Sequence, residues 1–142
     1  MRFIKTIGKD GKPYFFKYEL ENQYCSTRKI WKVCFKTTYI NQKDNNWFDF
    51  KVAAKGDSFM EVTDMFDTMD HSTHQLLFKG KGLPEALILE AQKVFPNKVI
   101  ISATGDGRWP PGTAVWQRLV RNELAFYDSE HDIFILNKLI LT

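Results

Sequence analysis

The stretch Phe78–Leu89, FKGKGLPEALIL, sets glycines, lysines and a proline in the order an anion-binding turn needs. Gly80 and Gly82 let the backbone turn sharply and approach a ligand closely. Pro84 suits the first helical turn, where its missing N–H is no loss. Glu85 complements the positive end of the helix. Such a loop aims backbone N–H groups outward, and these suit phosphate oxygens. Lys79 and Lys81 add charge attraction. The same residues also read as a plain strand-to-helix turn with solvated lysines.

Other residues carry chemistry of their own. Asp67, Asp70, His71 and His74 crowd one short segment. Two His and a carboxylate would suit a transition metal on a helix, but Ser72 and Thr73 favour a turn, so no metal site is expected. His71 or Glu61 is a candidate general base toward an amine. In the loop Thr104–Thr113, TGDGRWPPGT, Arg108 could grip a phosphate and Trp109 could stack on a base. The plainer reading folds Trp109 onto the core. Ser102 has no neighbouring His or acid in a nucleophile-elbow pattern, which argues against a hydrolase triad.

Strands and helices must position these residues. Arg2–Ile7, Tyr14–Leu20, Lys29–Ile40 and Trp47–Ala54 read as strands, the last two as a hairpin across NQKDNN. In Lys29–Ile40, Trp31, Val33, Phe35, Thr37 and Tyr39 share one face, and Lys32, Cys34, Lys36 and Thr38 the other. That pattern fits an aromatic core face with a lysine solvent face, or a nucleic-acid platform. Phe59–Met69 fits either a strand or a short helix. His74–Phe78 reads as a short strand feeding the glycine loop. Leu83–Phe95 and Ala114–Leu124 read as amphipathic helices, with Thr113 capping the second, and Lys98–Ala103 as a buried strand between them. Phe126–Asp128 and Ile133–Leu136 form a hairpin, and Lys138–Thr142 adds a last strand. The expected fold class is α+β: a mixed, mostly antiparallel sheet with two helices packed on it. The chain is expected to be one domain over residues 1–142, with a mainly β half (1–77) and a glycine-loop half (78–142).

The totals bound the function. A chain of 142 residues, 44% hydrophobic and 15% aromatic, can bury a real core and is not disordered. A net charge of +3 admits an anionic ligand without arguing for nucleic acid. No apolar run is long enough to cross a bilayer, and the N-terminus lacks the apolar core of a secretory signal. A cytoplasmic location, with Cys25 and Cys34 reduced, is the expectation.

From about His74 to Leu136 the chain resembles the GNAT superfamily of N-acetyltransferases. That family places a strand, an Arg/Gln-x-x-Gly-x-Gly/Ala loop and a helix in succession, then a buried strand, a second helix and a hairpin. The matching residues are Lys79-Gly80-Lys81-Gly82-Leu83-Pro84. The resemblance implies a GNAT-like fold and acetyl-CoA as cofactor. It implies that Leu77, Phe78, Lys79, Gly80, Lys81, Gly82 and Leu83 hold the cofactor, and that an amine or protein accepts the acyl group. Lys79 stands where the family has Arg or Gln, and Pro84 where it has Gly or Ala. Trp116 stands where many members carry a Tyr acid, and an indole N–H cannot supply a proton. Tyr127 is the nearest replacement in sequence. These departures leave two other readings: a non-catalytic binding or regulatory module of phage or mobile-element type, and a small nucleic-acid-binding protein using the Lys29–Lys51 hairpin.

Overall fold

The computed structural model describes residues 1–67, 77–108 and 110–138. Eight strands form one sheet: β1 (Arg2–Ile7), β2 (Pro13–Cys25), β3 (Ile30–Tyr39), β4 (Phe48–Lys55), β5 (Phe59–Asp67), β6 (Val99–Ser102), β7 (Ala125–Asp128) and β8 (Ile133–Leu136). Their order is β1-β2-β3-β4-β5-β6-β8-β7, and the sheet curls into an open half-barrel. The first five strands are a meander of antiparallel neighbours. Among the described residues, β5 and β6 are the one parallel pair, and α1 (Leu83–Val94) lies in the crossover between them. A short turn (Gly105–Gly107) then leads to α2 (Pro110–Arg121) and the β7–β8 hairpin.

Period-2 alternation explains the core. Phe16 and Tyr18 of β2, Phe35 of β3, Phe48, Phe50 and Val52 of β4, and Met60 and Val62 of β5 all face inward. Leu83, Leu87, Ile88 and Ala91 recur at helical spacing on α1 and join the same cluster, as do Val115, Trp116 and Leu119 of α2. Tyr18 donates a 2.8 Å hydrogen bond to Glu90, which fixes α1 against β2.

The expected α+β fold of GNAT type, with two helices packed on its sheet, is corrected by this architecture. Strand residues outnumber helical residues by roughly two to one among the described residues, and the chain is mainly a curled sheet with two 12-residue helices. Two segments account for the difference. The polar stretch after Leu20 continues β2 to Cys25, because each residue finds a partner on β3. Phe59–Asp67 is a strand, not a helix, and pairs with β4 from Phe59 to Asp67 with Thr63 alone left out of the ladder.

Smaller corrections follow. The parallel pair is fed by β5 and not by His74–Phe78. Leu77 and Phe78 lie in a turn, and residues 74–76 are outside the described set. α2 begins at Pro110, before the expected start, because two prolines are tolerated in a first helical turn. Thr113 therefore lies inside α2 instead of capping it. Lys138 is not in a strand, and residues 139–142 are outside the described set. Among the described residues, no helix is long and apolar enough to cross a membrane.

Candidate functional site

The parallel pairing of β5 and β6 ends at Val62 and Ser102. Beyond that point β5 continues to Asp67, while the chain after β6 turns away into residues 103–108. β6 ends at Ser102, and a cleft of about 350 Å³ lies between the rest of β5 and the segment after β6 with α2. That volume is within the usual range for a small-molecule site. Residues 62–66 form one wall. Ala103, Gly107, Arg108, Gly112 and Trp116 form the other.

A β-bulge shapes the first wall. Lys51 pairs with Asp64 and its neighbour Val52 pairs with Val62, so Thr63 is the extra residue. A bulge re-aims the residues beside it and is common next to active sites. Here it presents Thr63 and Asp64 to the cleft. Asp64 Oδ2 accepts from Lys32 Nζ at 2.8 Å and from the Thr63 hydroxyl at 2.8 Å. Both bonds fall on the same oxygen, which leaves Oδ1 as an open acceptor among the described residues. Sequence reasoning missed Asp64 because its partner lies two strands away on β3.

Arg108 holds the second wall in place. Its Nε donates to Thr113 Oγ1 at 3.2 Å, and Nη1 donates to the carbonyls of Ala103 at 2.8 Å and Asp132 at 3.0 Å. Nη2 meets Asp132 Oδ1 at 3.1 Å, and the guanidinium lies 4.9 Å over the Phe134 ring. Arg108 is therefore an internal tie between β6, α2 and the β7–β8 turn, not the phosphate grip suggested by its loop. Trp109, its expected companion, is outside the described residues. Ser102 is likewise structural, since its Oγ accepts from the Phe134 N–H at 2.9 Å.

The glycine loop is tied to the end of β5 through Asp67. This carboxylate ends β5 and accepts from the N–H of Phe78 at 2.9 Å and from the N–H of Leu77. Burial raises its pKa, and those two amides offset only part of the rise. Phe78 is fully inside the core, stacked on Tyr39 at 5.1 Å, and the Tyr39 hydroxyl donates to the Leu77 carbonyl at 2.7 Å. Leu77 and Phe78 thus anchor the loop and do not line the cleft.

The loop itself leans on the β1–β2 turn. The Lys9 N–H donates to the Gly80 carbonyl at 2.8 Å. Gly80 and Gly82 both adopt left-handed backbone, with φ of 73° and 74°. A Cβ on Gly82 would lie 2.8 Å from the Ile7 carbonyl oxygen, so close packing alone requires glycine there. A Cβ on Gly80 would meet nothing nearer than the Lys9 side chain at 3.9 Å. Lys81 is drawn onto Tyr14, its Nζ 4.5 Å from the ring centre, while Lys79 is exposed. Leu83 is buried as the first residue of α1. The first N–H groups of α1 have no acceptor within the helix.

The remaining candidates lie elsewhere. Glu61 is on β5 but is largely buried and paired with Lys55 at 3.4 Å, and it does not line the cleft. His71 is outside the described residues, as is most of the Asp67–His74 segment. Tyr127 lines a more open hollow of about 680 Å³ between α2 and the last hairpin. Its hydroxyl donates to Asp132 at 2.6 Å, and that bond raises its pKa. Trp116 does line the cleft, buried to 1% exposure and stacked on Phe134 at 6.0 Å.

A comparison with protein-family models, with curated proteins and with solved structures finds no match for this chain.

Proposed function

We propose that this protein binds an acyl-CoA and transfers the acyl group to an amine. The observation that carries the reading is the cleft beside β5 where β6 ends at Ser102 and β5 runs on past Val62. A thioester arm is narrow and weakly polar, and Val62, Met65, Phe66 and Trp116 offer it apolar walls. The glycine loop, which begins one residue beyond the Phe78 amide that Asp67 holds, carries amides and the exposed Lys79 for the pyrophosphate. The resemblance of residues 79–84 to the GNAT loop points to the same ligand.

The chemistry asked of the site is modest. The amine nitrogen attacks the thioester carbonyl, the C–S bond breaks, and the thiolate leaves. One proton must come off the nitrogen, and the cleft-lining Asp64, whose Oδ2 alone is engaged by Lys32 and Thr63, is our candidate to accept it. The Lys32 ammonium, 2.8 Å away, holds the Asp64 carboxylate in place. The thiolate takes its proton from solvent, since Trp116 cannot titrate.

The second reading is a non-catalytic acyl-CoA-binding module. It is favoured by Trp116, which fills the acid position of the resemblance with a group that cannot supply a proton.

Calorimetric titration with acetyl-CoA tests the binding claim. Saturable heat near one ligand per chain is expected, and it is lost in Ala103→Trp, which fills the cleft. No heat and no thermal shift at millimolar acetyl-CoA contradicts the proposal. If binding holds, Asp64→Asn separates the two readings: a drop in acyl transfer of about a hundred- to ten-thousand-fold supports catalysis, the range of one general base. Tight binding with no transfer to a broad amine panel supports the module.

A further inference from the structure

Past the body of the sheet, β2 and β3 run on as a two-stranded arm. β1 pairs with β2 no further than Tyr18, and β4 pairs with β3 no further than Val33. Residues 23–25 and 30–32 therefore pair only with each other. Ser26, Thr27, Arg28 and Lys29 close the tip, with Lys29 in left-handed backbone at φ 55°.

The arm breaks the rule that governs the rest of the sheet. Tyr24 and Trp31 sit opposite each other, on the face that lower down carries Tyr18 and Phe35 into the core. Yet they are 52% and 65% exposed. Their rings meet edge to face, with centroids 5.2 Å apart, so each keeps an open face. Strand alternation puts Glu19 and Glu21 on the opposite face. Arg28 and Lys29 are exposed, and among the described residues no carboxylate pairs with either.

We propose that this arm binds single-stranded nucleic acid. Bases stack on Trp31 and Tyr24, and the flanking phosphates meet Arg28 and Lys29. Size and charge select this occupant. An aromatic side chain buries about 150–250 Å², so this pair falls well short of the roughly 800 Å² per partner that a stable protein interface needs. Base stacking needs only an open ring face and nearby positive charge. The middle of the same hairpin does not extend the site. Lys32 is paired with Asp64, Lys51 with Asp49, and Lys36 lies over the Trp47 ring. The site is therefore the arm and its tip, and not the whole lysine-bearing face.

Fluorescence anisotropy with labelled single-stranded oligonucleotides at about 50 and 200 mM salt tests this. Saturable binding is expected at the lower salt and weaker binding at the higher. Trp31→Ala loses at least about tenfold in affinity, within the range for removing one stacking ring. The double variant Arg28→Gln, Lys29→Gln lowers the slope of log affinity against log salt by about 1.4, two phosphate contacts' worth. Both variants keep the wild-type Tm, because their side chains are exposed. No binding at the lower salt overturns the proposal, as does Trp31→Ala with unchanged affinity. Self-association without nucleic acid that Trp31→Ala abolishes would overturn it in favour of a protein interface.

Discussion

At the scale of single residues, identical letters in the sequence do different work. Gly80 and Gly82 look equivalent, but a Cβ is blocked only at Gly82, by the Ile7 carbonyl 2.8 Å away. Gly82→Ala adds that clash to the cost of left-handed backbone and is expected to destabilise by at least about 2–3 kcal/mol. Gly80→Ala carries the backbone term alone, about 1–2 kcal/mol. Urea unfolding of the two variants checks the ranking. The two cysteines divide in the same way. Burial, followed by the Asp49 carboxylate beside it, pushes the Cys34 thiol up to about 12. The Cys25 thiol is lowered, chiefly by the Thr27 hydroxyl. At pH 8 the folded protein is expected to react with a thiol reagent at Cys25 quickly and at Cys34 only on unfolding. Two equal fast phases would contradict this.

At the scale of elements, Arg108 is the joint of the second wall. It ties the end of β6, the start of α2 and the β7–β8 turn through one guanidinium. Arg108→Ala is expected to cost at least about 2 kcal/mol, because the Ala103 and Asp132 carbonyls lose a charged donor. Arg108→Lys recovers little, since an ammonium cannot reach these acceptors in one plane. Thermal melts of both variants test the tie. If Lys restored wild-type stability, the guanidinium geometry would be irrelevant. Much of this level was legible in the sequence. Alternation placed β1, β3 and β4 closely, and helical spacing placed α1. β5 was ambiguous because the bulge at Thr63 breaks its alternation halfway along. The reach of β2 to Cys25 was hidden because Glu21, Asn22 and Gln23 interrupt the apolar alternation before Tyr24. Trp31 sat on the correct face but on the wrong side of the water boundary, which only the lengths of the neighbouring strands decide.

At the scale of the whole molecule, the sheet's curl and the early end of β6 beside the longer β5 create the cleft. Neither has a local signature. The glycine loop was legible as a tight turn into a helix, but its partner, the β1–β2 turn, lies some seventy positions earlier in the chain. Asp64 was invisible as a site residue because Lys32 and the cleft meet it only in three dimensions. The central claim is that one acyl-CoA occupies the cleft and the glycine loop together. Amide hydrogen exchange with and without saturating acetyl-CoA tests that claim most directly. Added protection is predicted in residues 62–66 and 79–83, with residues 23–31 of the arm unchanged. Exchange that is unaltered in both segments, or protection confined to other parts of the chain, would contradict it.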